Sequence, residues 1–494
     1  MKKIVFNIKY IWLLAILFGF TACQSDDDSS TPSESLPPLT AGDANFSKFV
    51  SLGNSLTSGF SDGALFIATQ ENSFPNILAQ KFSMVGGGAF TQPLMNDNFG
   101  GLALAGNRIA NPRLVTTGGS PLPLEAVIGP VTVTTDIALN NPMGPFNNMG
   151  VPGARSFHLL APGYGNIMNL PNANPYFVRM TGSTPDASVL ELSMAQAPTF
   201  FSLWIGNNDV LGYATTGGDG TSPITDQPTF DFAITTLINT LTSSGAKGVV
   251  ANIPYVTDIP HFTTVTHDVI PMDAATASVV NNAYAQYNGG LQLAAGGGFI
   301  SAEEAAARTI MFEASENNAV VIEDESLTDL SALGLPNYRQ ATANDLLVLP
   351  SASFIGTEAV PGNPLTVNGV AIPLADKWVL LPSEQAEIRM AVDSFNATIQ
   401  AAANQAGLAF VDANALLTEL ASSGIATGNF VLTSDLVTGG TFSLDGVHLT
   451  SRGYAMAANE FMKAIDATYG SNFEASGNLV DVGQYPTNYS PTLQ

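Results

Sequence analysis

The chain has 494 residues, 45% hydrophobic and only 12% charged, with 46 Gly and 30 Pro. That is the composition of a globular, loop-rich protein and not of a disordered one. Acidic residues outnumber basic ones 41 to 16, and the formal charge of -25 argues against nucleic acid or an anionic membrane surface as a partner, because either needs clustered Lys and Arg. The length allows two or three average domains, or one large domain with insertions.

At the N-terminus Lys2, Lys3 and Lys9 flank the apolar run Tyr10 to Ala22, too short for a comfortable membrane span and right for a secretory leader. Residues 1–22 are therefore expected to be a signal peptide. The run ends in Phe20-Thr21-Ala22-Cys23, which resembles the lipobox of bacterial lipoproteins. Cys23 is the only cysteine in the chain, so it can form no intramolecular disulfide, and its place after a leader makes it the expected lipidation site. Residues 23–44 read as the lipidated cysteine and a disordered Ser/Pro/Asp-rich tether, whose Asp26-Asp27-Asp28 run is similar to sorting signals of surface-exposed lipoproteins. The expectation is an exported protein anchored by lipid to the bacterial outer membrane and exposed at the cell surface.

The folded region is expected over 45–470. Phe46 to Leu52 reads as a buried strand, and Ser73 with Pro75 opens a helix running through Phe82. A Gly/Pro-rich stretch follows, about 85–147, in which Ala126 to Leu139 alternates as an exposed strand or hairpin would. Thr199 to Ile205 and Val249 to Ile253 read as buried strands, separated by a helix whose apolar positions run from Phe230 to Leu241. Strands alternating with helices predict a parallel sheet. About 264–381 reads as a second insertion, with the two insertions expected to build a pocket wall or lid. Ser383 is expected to cap a helix through Ala406, Leu408 to Val411 to form the last strand, and Ser451 to cap a final helix to Tyr469. Residues 471–494 read as an aperiodic C-terminal tail.

Two serines compete for a nucleophile's place. Ser61, in Gly59-Phe60-Ser61-Asp62-Gly63, fits the G-x-S-x-G spelling but lacks the strand-to-helix setting that makes such an elbow work, so its glycines read as loop glycines. Ser55, in Gly53-Asn54-Ser55-Leu56, follows the first strand directly and so falls at the carboxyl edge of the sheet, where open α/β folds bind ligands. Three further blocks follow: Asn148 to Ser156 with Gly150 and Gly153, Gly206-Asn207-Asn208-Asp209 at a strand end, and Asp445-Gly446-Val447-His448 before the last helix.

At these four points the chain resembles the SGNH, or GDSL, hydrolase family, with Asn54 where the family motif has Asp. The resemblance implies a flavodoxin-like three-layer α/β/α sandwich with a mainly parallel sheet and large loop insertions. It implies Ser55 as nucleophile, His448 as general base and Asp445 as the acid that orients it. The oxyanion donors would be the Ser55 and Gly153 backbone N–H groups and the Asn208 amide. The implied activity is hydrolysis of carboxylic esters, lipid acyl esters or acetylated glycans, through an acyl-enzyme. The alternative is a non-catalytic surface lipoprotein that binds glycan or lipid on the same fold.

No cofactor and no metal are expected. His158 reads as a satisfied core or surface histidine. His261 and His267, six residues apart, do not share a helix face and read as loop histidines. Asp209 is expected to bond at the sheet edge, and Arg155 to cap or to pair with an acid.

Overall fold

Five short apolar runs pair into one parallel sheet: β1 (Phe49–Gly53), β2 (Asn148–Gly150), β3 (Phe200–Trp204), β4 (Lys247–Ala251) and β5 (Ala409–Val411). The order across the sheet is β5-β4-β3-β1-β2, and every neighbouring pair is parallel. Parallel strands covered on both faces need nearly continuous apolar sequence, which is why FVSLG and FFSLW are buried at every position. This is the flavodoxin-like 2-1-3-4-5 order, whose winding reverses between β1 and β3 and leaves a crevice at their carboxyl ends.

The computed structural model describes residues 36–494. Cys23, the leader 1–22 and most of the tether lie outside the described residues. Residues 39–494 form one compact unit. Its packing begins at Leu39 and Ala41, which lie against the main core, ahead of the boundary expected at residue 45.

The helices that position the site are α1 (Ser55–Ser58), α2 (Phe74–Ser83), α3 (Asn208–Thr215), α4 (Gln227–Thr242), α5 (Ala274–Gly296), α6 (Pro382–Gln405), α7 (Ala413–Ser422) and α8 (Ser451–Tyr469). Helices α2 and α8 pack together on the sheet, with Phe74 and Phe461 rings 4.7 Å apart and Phe82 stacked on Phe46 at 3.8 Å. Helices α4 and α6 form the other layer, joined by Phe230 and Phe395 stacked at 3.9 Å. These aromatic contacts join the helices of each layer to one another over the sheet.

Several local expectations are corrected. β2 was expected as a glycine-rich turn. Its first residue is a buried polar one, Asn148, whose amide donates to the Thr57 carbonyl and to Gln92 Oε1, both at 3.0 Å, so tertiary hydrogen bonds and not hydrophobic period make it a strand. Gly150 is required there, because a Cβ would come within 2.3 Å of the Ser58 nitrogen. The stretch Ala126 to Leu139 is no hairpin: Leu124–Ile128 is a short helix, and the only pairing in the remainder is a bridge from Asp136 to Ala103. Thr450, not Ser451, caps α8 through its side chain to Gly453 N, and α6 starts at Pro382 with Glu384 Oε2 accepting the Leu381 N–H at 2.7 Å. Residues 471–494 have no regular element beyond one 3-10 turn, yet they pack: Phe473 is fully buried and the Tyr489 hydroxyl bonds Ser451 Oγ at 2.6 Å.

Between β4 and α6, residues 270–381 contribute a hydrophobic cluster of their own around α5, Val320 to Ile322 and Leu374 to Leu381. Truncating a residue of the main core tests how tightly the sandwich is held. Phe230→Ala removes the ring stacked on Phe395 and is expected to cost about 3–5 kcal/mol in urea or thermal unfolding; a loss under about 1 kcal/mol would mean the α4–α6 layer contributes little.

Candidate active site

Ser55 follows β1 after a single intervening residue, Asn54. Asn54 accepts the Leu56 N–H at 3.0 Å and so caps α1, which makes Ser55 the first helical residue and aims it across the sheet edge. The Asn54 amide donates to Asn207 Oδ1 at 3.1 Å, tying the end of β1 to the segment after β3.

The structure places His448 Nε2 2.9 Å from Ser55 Oγ, and His448 Nδ1 2.8 Å from Asp445 Oδ2. The histidine ring lies against Phe60, with centroids 4.6 Å apart, and the three side chains are largely shielded from water. Asp445 has five donors: His448 Nδ1 and the Gly63 N–H on Oδ2, and the Val447 N–H, the His448 N–H and the Ser443 hydroxyl on Oδ1. Burial alone would raise its pKa. The adjacent His448 and these N–H donors outweigh burial and hold the carboxyl well below the usual carboxylate range.

The second serine has a different part. Residues Ser61 to Ala64 close a two-residue turn, with mutual N–H···O bonds of 3.0 Å and left-handed φ at Asp62 (53°) and Gly63 (76°). Ser61 is buried in that turn and heads no helix. What the turn presents is the Gly63 N–H to Asp445, the Asp62 N–H to Ser443 Oγ at 3.0 Å and Asp62 Oδ1 to the Leu444 N–H at 3.0 Å. It is a brace for the Asp445–His448 loop. The Asp62-Gly63 dipeptide is a turn signal in its own right, and it was the available clue.

Gly153 (φ 80°) lies in the turn after β2, whose Val151 N–H bonds the Gly53 carbonyl, so it sits at the same edge as Ser55. Neither the Ser55 nor the Gly153 N–H has a protein acceptor among the described residues. Asn208 opens α3, and one N–H of its amide donates to the Ala154 carbonyl at 2.9 Å, which fixes the side chain and leaves the other N–H to the cavity it lines beside Ser55. Asp209 is fully buried and takes the Ser156 N–H and hydroxyl at 2.8 Å each, clamping the Gly153 turn to α3. Arg155 was expected to cap or to pair with an acid, and it stands at the N-cap of the 3-10 helix Ser156–Leu160 with its backbone N–H bonded to His158 Nδ1. Its guanidinium meets no acid and donates to the Pro223 carbonyl and Ser222 Oγ.

Among the other histidines, His158 Nδ1 accepts the Arg155 N–H and its ring stacks on Tyr164; burial lowers its pKa to about 4, so it is neutral. His261, expected on a loop, is buried in a short helix, where its backbone N–H donates to the Gly446 carbonyl and supports the His448 loop from beneath. His267 stands 3.9 Å from Asp268. Away from this edge, Glu325, Asp376 and Glu384 bring one oxygen each within 4.8 Å of one another. Burial and the neighbouring carboxylates lift Asp376 to about 6 and Glu384 to about 8, so Glu384 holds a proton at neutral pH.

A small apolar cavity of about 80 Å³ opens at Ser55 and His448. Its walls come from α1, α3, α7, α8 and the loops after β3 and β4, and none of its lining residues lies in 85–147 or 264–381. The expectation that the insertions wall this pocket is therefore corrected. The second insertion reaches the site from outside, where the Leu349 side chain packs over Gly446.

The class of protein defined by fold and site is thus a flavodoxin-like α/β/α sandwich with a hydrogen-bonded Ser-His-Asp chain at the switch point of its sheet. No protein-family model and no curated protein sequence matches the chain. Among solved structures, an extracellular lipase from Streptomyces rimosus is similar to it with a TM-score of 0.26 and 12% sequence identity, over 85% of this chain and 98% of that one.

The brace carries a titratable group. Burial, reinforced by the nearby Asp445 charge and opposed by the Leu444 N–H, pushes Asp62 up to about 7. The folded protein keeps this proton to about pH 7, whereas the unfolded chain releases it near pH ~3.9, so Asp62 costs increasing stability as pH rises through that window. Asp62→Asn keeps an oxygen for the Leu444 N–H and removes the titration. Its stability relative to the parent is expected to improve by roughly 1–3 kcal/mol between about pH 5 and about pH 8 in urea unfolding; a difference independent of pH would show that Asp62 is ionised throughout.

Proposed function

We propose that this chain is a serine hydrolase of the SGNH type that cleaves carboxylic esters through an acyl-enzyme intermediate. The observation that carries the reading is the continuous chain from Ser55 Oγ through the His448 ring to Asp445, with an amide and two backbone N–H groups at the same edge. In the first half-reaction Ser55 Oγ attacks the ester carbonyl carbon while His448 Nε2 takes the hydroxyl proton. Asp445 stays ionised, fixes the tautomer with the proton on Nδ1 and stabilises the imidazolium that forms. The negative charge reaching the carbonyl oxygen is met by the Ser55 and Gly153 N–H groups and the Asn208 amide. Collapse of the tetrahedral intermediate expels the alcohol, which receives the proton from His448. Water then repeats the sequence on the acyl-Ser55 ester and releases the acid.

The low pKa of Asp445 and the neutral Asn54 suit this division. One carboxylate remains charged beside the imidazole, and the residue preceding the nucleophile adds no charge to oppose the oxyanion. The proposed setting is outside the cytoplasm, with residues 1–22 removed and Cys23 lipidated at the outer membrane; mass spectrometry of the N-terminal peptide from a bacterial membrane fraction tests that part.

A fluorophosphonate probe is expected to label Ser55, and labelling is expected to vanish in Ser55→Ala and His448→Ala. Asn208→Ala is expected to lower kcat by about 10²–10³. Label on Ser61, or none on the folded protein, would reject the assignment; the second result would point to the non-catalytic binding protein.

A further inference from the structure

We propose that the cleft beyond the Gly153 turn, lined by His158, Tyr164, Asn169 and Asn172, is a sugar subsite, and that the ester this protein acts on is carried by an uncharged glycan. The inference rests on the hydrolase reading above. The cleft has a volume of about 380 Å³, within the range of small-molecule sites, whereas the cavity at Ser55 offers only about 80 Å³. It is built by the chain after β2, and the cavity's walls include segments after β3, β4 and β5, so the two lie on opposite flanks of Ser55. Contacts join the cleft to the reaction edge. The Asn174 amide donates to the Pro152 carbonyl at 2.8 Å, beside the Gly153 donor, and to the Tyr164 hydroxyl at 3.0 Å. Two residues on, the Tyr176 ring meets Phe60 edge to face at 6.1 Å, and Phe60 lies against His448.

The polar atoms of the cleft are neutral and have capacity left. His158 Nδ1 accepts the Arg155 N–H at 3.0 Å, so the ring proton is on Nε2, and stacking on Tyr164 at 4.5 Å holds that donor in one direction. Nε2 is open to solvent and has no protein acceptor among the described residues. The Tyr164 hydroxyl accepts from Asn174 and keeps its own proton to donate. Asn169 Nδ2 donates to the Gly163 carbonyl at 3.0 Å, which leaves Oδ1 as an acceptor, and the exposed Asn172 amide offers both roles. Gly163 has φ 72°, and a Cβ there would come within 2.7 Å of Asn169 Nδ2, so this close approach needs glycine.

Sugar hydroxyls both donate and accept, and so match a mixed set of this kind. No Lys or Arg lines the cleft: Arg155 is turned to Pro223 and Ser222, and the nearby Asp186 adds a negative charge. A phosphate or carboxylate ligand would find no cation there, and a hydrocarbon chain would leave the polar atoms without partners. A glycan enters an ester through one of its hydroxyls, so the sugar is the alcohol that leaves with the proton from His448.

The test holds the acyl group constant and changes the alcohol. It measures kcat/KM for ethyl acetate, for mono-O-acetylated xylotriose, cellotriose and mannotriose, and for acetylated trigalacturonate as the anionic comparison. At least one neutral trisaccharide ester is expected to exceed both ethyl acetate and the trigalacturonate ester by about 10-fold or more. Asn172→Ala, at an exposed position, is expected to lower the ratio of that ester to ethyl acetate by about 3-fold, and Asn172→Trp, whose ring fills the cleft, by about 10-fold. In parallel, the same trisaccharide ester is expected to bind Ser55→Ala in calorimetry, and to bind more weakly when Asn172→Trp is added. Hydrolysis that depends on Ser55 but shows no preference for a neutral trisaccharide ester, or a preference that neither Asn172 substitution alters, overturns the sugar subsite and leaves the hydrolase reading intact. Trisaccharide binding that Asn172→Trp weakens, with no hydrolysis of any ester, overturns the hydrolase reading and keeps the subsite. Absence of both hydrolysis and binding overturns both.

Discussion

The Asp445 carboxylate is the contact on which the geometry of the site depends. A charge largely withdrawn from water is costly unless donors surround it, and here five do, drawn from the last loop and from the turn after α1. Because Gly63 supplies one and Asp62 holds Leu444, the carboxylate joins segments some 380 residues apart in the chain. The same bonds that keep Asp445 ionised also set the height of His448 over Ser55, so the electrostatics and the positioning of the site cannot be varied independently.

This explains why much of the site was legible in the sequence. Ser55, Asn208, Asp445 and His448 are residue types that chemistry demands, they stand at strand or helix ends, and their order along the chain follows the sheet's winding. The strands β1, β3 and β4 were visible as nearly continuous apolar runs, although β4 lies two residues earlier, at Lys247–Ala251, than the Val249 to Ile253 expected. β2 was hidden for a physical reason: three residues beginning with Asn148 have no hydrophobic period, and only partners from distant segments make them a strand.

The stretch around Ser61 reads as a loop from its sequence and is a tight turn in the structure, but its bracing role was hidden. Gly59-Phe60-Ser61-Asp62-Gly63 has the letters of a nucleophile motif, but what it contributes is the Gly63 N–H to Asp445 and the Asp62 carboxyl to Leu444; Asp62-Gly63 signals the turn and not these distant partners. α7 was missed although its signals were present, with Asp412 as cap and a stripe of four apolar residues over ten positions. Its short length and the sheet strand directly before it obscured it. What the sequence could not contain was the side to which that stripe turns, because this is decided by how α7 and α8 pack around the sheet edge.

The long segment between β4 and α6 enters and leaves through one small seam. Val265, near its start, bridges to Leu347, and Leu347 pairs on its other side with Val379, near its end. Its two ends are therefore held side by side, and between them Val348 joins the main core and Leu349 packs against Gly446. Growth or shrinkage within it need not stretch the distance between Ser55 and His448, which leaves that surface free to diversify while the chemistry at the sheet edge stays fixed.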